Sequence, residues 1–348
     1  MKEILEKDLI DRANSIYDYF QNIIKQYLPY KWYASSLEFE IIDSDEINGK
    51  SWCEKDKDHI QINRGVIELY YNYFSNVMEN DKIKFLSNFN VTNEEYELKN
   101  MSYEGVYFKD GKYHIYDSKV IDDSKAQLLE IFVSRFIILH ELGHILNGHC
   151  KLLAEKFTLI GLKYIPLYYF EKDKSLDDET SLNIRTLEMD ADAFAATQSI
   201  YHLIYLYKNF EHQVKIDMEP YDIFYWWSFA LRSHFLICED QFIDLYYYKK
   251  MTHLPSTARW TLIYNSALNV IDLIYVEEQE KKMFKELIIA GAEDAEAKFN
   301  SIKYTNYSWV NEINDNIQYV DYKNEINKNW EKLKIQLEEY SRLELFSD

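Results

Sequence analysis

One long and mostly apolar helix is the feature that most constrains how this chain can fold. Residues 122–149, DDSKAQLLEIFVSRFIILHELGHILNGH, place their apolar side chains at helical rather than strand spacing. Residues 122–124 are suited to cap the N-terminus of this helix, and Gly148 suits its C-terminal end. A helix that is apolar on most sides must be buried on most sides, so we expect it at the centre of the molecule.

A polar stripe interrupts the apolar surface of this helix. At about 100° per residue its members fall on one arc, and none of them is the Lys or Arg that a face in bulk solvent usually carries. We therefore expect the stripe to line a cleft. Its members are Gln127, Glu130, Ser134, His140, Glu141 and His144.

The motif His-Glu-x-x-His lies within this stripe. His140 and His144 are at i and i+4 of the helix, which lets both imidazoles reach one tetrahedral Zn²⁺. Glu141 points to the side of such an ion, where a carboxylate can act as a general base on water. Gly143 leaves room for another segment to approach. The alternative is a core helix whose two histidines bind partners inside the protein.

A catalytic zinc site needs a third protein ligand, and the segment TLEMDADAFAATQS (186–199) offers the best one. Glu188 and Asp192 share one helix face, so Glu188 can be the third ligand while Asp192 accepts a hydrogen bond from His140. Asp190 points about 200° away from Glu188, and we expect it at the surface or in a local bond. The alternative is the acidic face of a helix that binds no metal.

His149 and Cys150 are rival third ligands. A break in the helix would be needed to turn either of them toward His140, because on a continuing helix both point away from that side. The sequence therefore predicts a capping or surface role for His149.

Composition narrows the class of protein. The 348 residues include only 8 Gly and 4 Pro, which favours long helices. The net charge of −20 repels nucleic acid and anionic lipid. Three Cys fit a reducing compartment, the N-terminus has no signal-peptide core, and no apolar run reaches the roughly 18 residues of a membrane span. We expect a soluble, cytoplasmic protein that binds no nucleic acid and has no membrane span.

The pattern of predicted elements indicates an α+β protein that is predominantly helical. We divide it into an N-terminal helical segment (1–35), a core with a small β-sheet (36–276) and a C-terminal helical extension (277–348). An Asp-Gly dipeptide within 105–116 is typical of a hairpin turn. Further predicted helices cover 4–27, 180–209, 219–248 and 255–276, a strand begins 36–49, and a strand followed by a helix lies within 58–74.

These motifs resemble those of the gluzincin zinc peptidases, in which His-Glu-x-x-His is followed on a later helix by Glu-x-x-x-Asp. The similarity covers roughly 36–275 and looks closest to the CAAX-protease and heat-shock-protease branch with its soluble relatives. The segment THLPSTARW (252–260) is similar to that branch's His-Pro-Ser…Arg element, although Pro255 comes one place late. The resemblance implies a zincin-like metallopeptidase core with an active-site helix. The membrane substrates of that branch do not carry over to a chain without predicted spans.

Two soluble groups have similar motifs. The ImmA/IrrE type cleaves repressors, but its gap to the third ligand is usually shorter than the 43 residues between His144 and Glu188. The Lit-like phage-exclusion peptidases, which cleave a translation factor during infection, look at least as similar in HELGHILNGH and EMDADAFA. That resemblance implies a soluble zinc endopeptidase for a cytoplasmic protein substrate, controlled by infection or by an activating or inhibiting protein partner.

Two further residues belong to the candidate site. His253 is the candidate for stabilising the oxyanion, with one of the many Tyr as a substitute and a helix-cap role as the alternative. Arg259 either contributes to the substrate site or anchors the ligand helix through a carboxylate. We expect an extended substrate to add a strand to residues 59–63 or to the hairpin 105–116.

Two functions other than proteolysis stay open. One is a non-catalytic, zinc-stabilised helical scaffold or sensor that binds a protein partner through its C-terminal helices. The other is a purely structural helical protein without a metal. The segment 150–179 and the C-terminal helices either cover the cleft or are plain packing elements. Cys53 and Cys150 either inhibit the zinc site as extra ligands or are ordinary buried thiols.

Overall fold

The computed structural model describes most of the chain, and its elements are numbered here in chain order. The predicted N-terminal helix (4–27), the N-terminal segment (1–35) and His253 lie outside the described residues. The described residues are 36–46, 48–54, 57–79, 106–109, 112–115, 124–156, 165–166, 177–210, 218–238, 256–274, 276–303 and 317–345.

Four short segments form one mixed β-sheet. Strand β1 (Ser36–Ile42) pairs in parallel with β3 (Lys57–Asn63), and β2 (Gly49–Glu54) pairs with β3 in antiparallel fashion. The short strand β6 (Ile165–Pro166) pairs antiparallel with β2 at Ser51 and the residue before it. The strand order is therefore β1-β3-β2-β6.

The position of β3 excludes one of the two predicted substrate edges. Residues 59–63 belong to β3, and β1 and β2 pair with its two sides, so no peptide can add a strand there. The prediction that 59–63 supplies such an edge is wrong. The predicted hairpin within 105–116 is present, with β4 (Val106–Lys109) antiparallel to β5 (Lys112–Ile115).

The predicted central helix is surrounded by other elements. Helix α2 (Ser124–Leu146) packs on α1 (Arg64–Glu79), on α4 (Asp178–Lys208) and on α5 (Asp222–Cys238), and it also contacts β2. Its apolar side chains belong to the main hydrophobic core. This packing explains why the helix is apolar on most sides, as a helix with a single buried face would not be.

Gly148 ends the α2 region and starts a new helix. Its φ of +85° lies in the left-handed region, which favours glycine because a Cβ is strained there. Helix α3 (His149–Lys156) begins at the next residue. The predicted single helix over 122–149 is therefore wrong at its C-terminal end, where the chain changes direction.

The C-terminal segment returns to this change of direction. Helix α8 (Ile317–Leu337) packs on α4 and α3, and after it the Arg342 N–H donates a hydrogen bond to Leu146 O over 2.8 Å. The Arg342 guanidinium pairs with Asp58 of β3 at 2.5 Å, and both side chains are buried. The C-terminal end of α2 is thus fixed to the sheet and to the last described segment of the chain.

Two more helices complete the core. Helix α6 (Ser256–Leu273) packs on α4, and α7 (Glu278–Lys303) packs along α5. Gly291 allows the second contact, because a Cβ there would lie 2.2 Å from Tyr225 O. The described part of the chain is predominantly helical with a small β-sheet, which confirms the fold class at that level. Helix α5 covers residues 222–238 of the predicted helix over 219–248, and residues 239–248 lie outside the described residues.

Candidate metal centre

Three side chains from two helices meet at one point in the core. His140 and His144 come from α2 and Glu188 comes from α4, and each is only 1% exposed. His140 Nε2 lies 3.0 Å from His144 Nε2. Glu188 Oε1 lies 3.2 Å from His144 Nε2, and Glu188 Oε2 lies 3.4 Å from His140 Nε2. The fold thus brings together a histidine pair and a carboxylate that are far apart in sequence.

The spacing of these atoms fits a tetrahedral metal ion. Ligand atoms bonded to such an ion at about 2.0–2.1 Å are about 3.3–3.4 Å from one another. The two ring nitrogens are 3.0 Å apart, and each lies 3.2 or 3.4 Å from a different oxygen of the Glu188 carboxylate, close to that spacing. Two imidazoles and one carboxylate are also a donor set of zinc sites that keep one position open for water or substrate. This buried group can hold a metal ion.

The two rings of the group differ in their affinity for a proton. Burial disfavours the charged form of His140, but the carboxylates of Glu188 and Asp192 outweigh it and raise the pKa of His140 to about 10. At His144 the effect of burial is the larger one, and it lowers the pKa to about 4. A metal ion must therefore displace a proton from His140 but not from His144 at neutral pH.

Glu141 lies beside this group, and one of its carboxylate oxygens is already bound. Ser51 Oγ of β2 donates a hydrogen bond to Glu141 Oε2 over 2.7 Å. Glu141 Oε1 is buried and accepts no hydrogen bond from the residues that the structure describes. Burial raises the pKa of Glu141 to about 7. A carboxylate with a pKa near neutrality and one available oxygen can accept a proton and return it at physiological pH.

A carboxylate contacts the Nδ1 side of the His140 ring, and a guanidinium binds that carboxylate. His140 Nδ1 donates to Asp192 Oδ1 over 2.8 Å, which leaves Nε2 facing Glu188. Arg259 of α6 donates to both oxygens of Asp192, over 2.7 and 2.8 Å. Burial opposes the charge on Asp192, but the Arg259 guanidinium keeps the pKa of Asp192 below its usual value. Of the two roles predicted for Arg259, the structure places it in contact with the carboxylate of the ligand helix.

His149 and Asp190 lie next to the centre rather than where the sequence analysis placed them. His149 is fully buried, and its Nδ1 lies 2.9 Å from His144 Nδ1. Its Nε2 lies 3.0 Å from Asp190 Oδ2. The surface or capping role predicted for His149 is wrong, because α2 ends at Leu146 and the buried ring of His149, the first residue of α3, contacts His144. Asp190 is also bound by Asn147 Nδ2, which is a long-range and not a local bond.

Two thiols, those of Cys53 and Cys150, lie near Ser51. Cys150 Sγ is 3.8 Å from Ser51 Oγ, and Cys53 Sγ donates to Asp58 Oδ1 over 2.9 Å. Contact with the Cys150 thiol, together with burial, raises the pKa of the Cys53 thiol, and a protonated thiol is a poor metal ligand. Within the described part of the chain, the group that can hold a metal includes neither cysteine.

Ser51 and His149 are the neighbours of the site that the sequence analysis missed. Ser51 is 90 residues from Glu141, and a strand's own sequence does not show which helix it covers. Gly148 was a sequence signal for the position of His149. Glycine is common just after a helix end, and if α2 ends there, His149 need not point to the side that a continuing helix would give it. His253, the predicted oxyanion donor, lies outside the described residues.

No protein-family model, curated protein or solved structure matches the chain. Among the described residues, no helix is both long and apolar enough to cross a membrane.

Proposed function

We propose that this chain is a zinc-dependent endopeptidase with a zincin-like core and a cytoplasmic protein substrate. The observation that carries the proposal is the position of Glu141. It is a buried carboxylate with one available oxygen, next to a His-His-Glu group that can hold a metal ion. A structural metal site needs no such base. The resemblance of the two sequence motifs to gluzincin peptidases supports the same reaction.

Peptide hydrolysis assigns a separate task to each residue of the site. His140, His144 and Glu188 would hold the zinc ion, which would supply Lewis-acid activation of the scissile carbonyl and of a water molecule. Glu141 takes a proton from the attacking water through Oε1 and delivers it to the leaving amine. Its pKa of about 7 suits both transfers, because such a group exists in both protonation states at neutral pH. Ser51 holds the other oxygen and keeps the carboxylate in place.

Zinc is the metal that best fits the site as a whole. Two imidazoles, one carboxylate and an open position are a recurring catalytic zinc arrangement. The same donors hold Fe(II) in oxygenases. Hydrolysis, unlike oxygenation, needs a general base beside the metal, and the buried Glu141, next in sequence to His140, supports hydrolysis and therefore zinc.

The centre is closed in this conformation, which supports a conditional activity. The metal-binding side chains are buried, and the edge of β2 beside Ser51 is paired with residues 165–166 of β6. An extended substrate needs a free strand edge, so β6 must leave β2 before a peptide can pair there. β6 belongs to the segment 150–179, one of the two predicted covers of the cleft. We propose that a protein partner or a stress such as phage infection opens the centre.

One observation favours a second function. Complete burial of the metal group is also typical of a structural zinc site, as in a scaffold or sensor that binds a protein partner. Such sites usually close with a fourth protein ligand. The described residues offer three convergent ligands, His140, His144 and Glu188. We rank the scaffold second because Glu141, beside them, has a role in hydrolysis but none in a structural site.

The variant Glu141→Gln separates the two functions. It keeps an acceptor for Ser51 and all three ligands, but an amide cannot take a proton from water. Wild type and variant, both loaded with zinc, are incubated with lysates of uninfected and phage-infected bacteria, and new protein N-termini are identified by mass spectrometry. Proteolysis predicts N-termini that form with wild type only. Identical N-termini with both zinc-loaded proteins would favour the scaffold.

A further inference from the structure

The two histidines of the metal group are supported in different ways on the sides that face away from Glu188. His140 contacts the carboxylate of Asp192 directly. His144 contacts a second imidazole instead, since its Nδ1 lies 2.9 Å from His149 Nδ1. Both rings are buried, so neither can exchange this partner for bulk water.

Only one proton fits between the two facing nitrogens. When His144 binds a metal through Nε2, its remaining ring proton is on Nδ1 and points at His149. His149 Nδ1 must then accept that proton's hydrogen bond, and the proton of a neutral His149 ring must be on Nε2. The tautomer of one ring therefore determines the tautomer of the other.

Asp190 is the group that faces this second proton. Its Oδ2 lies 3.0 Å from His149 Nε2, within ion-pair range but without the linear geometry of a hydrogen bond. Asn147 Nδ2 donates to the same oxygen over 2.5 Å, and Asp190 is only 9% exposed. The charge of Asp190 favours a proton on Nε2 of His149, which leaves a lone pair on Nδ1 to face His144.

The backbone fixes His149 in this position. Gly148 has a φ of +85°, and this left-handed residue between the two helices places His149, the first residue of α3, against His144 of α2. The backbone of Ser341 packs against the same glycine, with its nitrogen 2.7 Å from where a Cβ would lie. The position of His149 is therefore set by the fold and not by an exposed loop.

One turn of α4 provides the carboxylate ligand of the metal group, an aspartate that contacts one histidine ligand and an aspartate beside the ring that contacts the other. Within the sequence Glu-Met-Asp-Ala-Asp, Glu188 is the carboxylate ligand and Asp192 supports His140. Asp190 points to a different side of the helix at helical spacing. It acts on the remaining ligand, His144, because the ring of His149 lies between them.

We propose that His149 and Asp190 are positioning residues that hold His144 in the tautomer and orientation that a metal ion requires. The inference rests on the proposed metal site. Outer partners of ligand histidines typically contribute about 10–100-fold to metal affinity. The ring of His149 carries no negative charge, unlike the carboxylate that contacts His140, so the loss of His149 should weaken binding less than the loss of Asp192.

Zinc affinity of the full chain, measured by competition with a chelator of known affinity, tests this proposal. His149→Leu replaces the ring with an apolar side chain and should weaken zinc binding about tenfold. His149→Asn places an acceptor near the position of Nδ1 and should recover most of the lost affinity. The matched control is His202→Asn on α4, about 15 Å along the helix from Asp192, which should bind zinc as wild type does.

A spectroscopic measurement keeps the test decisive if His149→Leu does not fold. Nitrogen-15 NMR of zinc-loaded protein with labelled histidines reports which ring nitrogen carries each proton. The His149 signals are identified by their loss in His149→Asn. We expect them to show a protonated Nε2 and an unprotonated Nδ1 in wild type, and to change in Asp190→Asn.

The outcomes separate this inference from the proposed function. Weakened binding by His149→Leu, recovery in His149→Asn and a proton on His149 Nε2 would support it. Wild-type affinity in a folded His149→Leu, or a proton on His149 Nδ1 in the zinc-loaded protein, would overturn it and leave the metal site intact. A wild-type chain that takes up no zinc would overturn the proposed function and this inference together.

Discussion

Asp192 holds the ring of His140 across the interface of two helices, with His140 Nδ1 2.8 Å from Asp192 Oδ1. Arg259 extends the contact to a third helix, because it donates to both oxygens of the same carboxylate. All three side chains are buried, so the loss of one member leaves a charged group in the core without its partner. The order of the metal group therefore depends on the interface of α2, α4 and α6.

Asp192→Asn should weaken both metal binding and the fold. We expect zinc affinity to fall about 10–100-fold, because an amide oxygen is a weaker acceptor for the His140 ring proton. The zinc-free protein should lose about 3 kcal/mol of unfolding free energy, because Arg259 keeps its charge at 7% exposure. Chelator competition and chemical denaturation measure the two effects. The exposed residue Asp321 of α8 provides the control, Asp321→Asn, and wild-type affinity in Asp192→Asn would contradict the assigned role.

Glu141→Gln should stabilise the zinc-free protein at alkaline pH. Burial raises the pKa of Glu141 from 4.5 to about 7, so the folded state disfavours the ionised carboxylate. The resulting penalty is absent below pH 4.5, grows as the pH rises toward 7, and is complete above it, at about 3 kcal/mol. Denaturation with a chelator present, at pH 4 and at pH 8, should show a gain of about 3 kcal/mol at pH 8 and almost none at pH 4.

Glu331→Gln is the matched control for this experiment, because Glu331 is exposed on α8. It should show no gain that depends on pH. Equal unfolding free energies of wild type and Glu141→Gln at pH 8 would mean that the Glu141 carboxylate ionises in the fold without a penalty.

Zinc binding should release about one proton near pH 7.5. The pKa of His140 is raised to about 10, so its ring holds a proton that the ion must displace, whereas the pKa of His144 is lowered to about 4 and that ring is already neutral. Competition with the proton weakens as the pH rises, so zinc affinity should increase toward pH 9. Calorimetry in two buffers with different ionisation enthalpies measures the release. Heats that do not depend on the buffer would contradict it.

Gly148→Ala should destabilise the protein by on the order of 2 kcal/mol and should weaken zinc binding. The backbone φ of +85° is strained for alanine, and the new Cβ would lie 2.7 Å from the backbone nitrogen of Ser341. A backbone shift that relieves the strain or the close contact would move His149 away from His144. Thermal unfolding and chelator competition test the two effects, with Ala154→Gly on the exposed side of α3 as a backbone control. A variant as stable as wild type would show that the backbone at Gly148 tolerates a side chain.

The metal group could be predicted from the sequence because helical spacing decides which side chains share a face. His140 and His144 lie one turn apart on α2, and Glu188 and Asp192 lie one turn apart on α4. Gly143 marked the place where the two helices approach, since a Cβ there would lie 3.3 Å from Ala191 Cα. The local pattern therefore contained both the ligands and the reason that they can meet.

The surroundings of the metal group could not be predicted in the same way. The break between α2 and α3 is stabilised by hydrogen bonds from Ser341 and Arg342 to Leu146 O, and these two residues come from the far end of the chain. The Ser51–Glu141 contact depends on which strand is adjacent to α2, and strand order follows from long-range pairing that a local pattern does not show. For the same reason the substrate edge assigned to 59–63 was wrong.

Zinc content per chain is the measurement that tests the central claim most directly. Wild type, Glu188→Ala and the exposed control Glu286→Ala are stripped with a chelator, reloaded with zinc and desalted, and the metal is quantified by mass spectrometry. We expect about one zinc per chain in wild type and in Glu286→Ala, and far less in Glu188→Ala. A wild-type chain without zinc, or a full zinc content in folded Glu188→Ala, would contradict a metal site built from His140, His144 and Glu188.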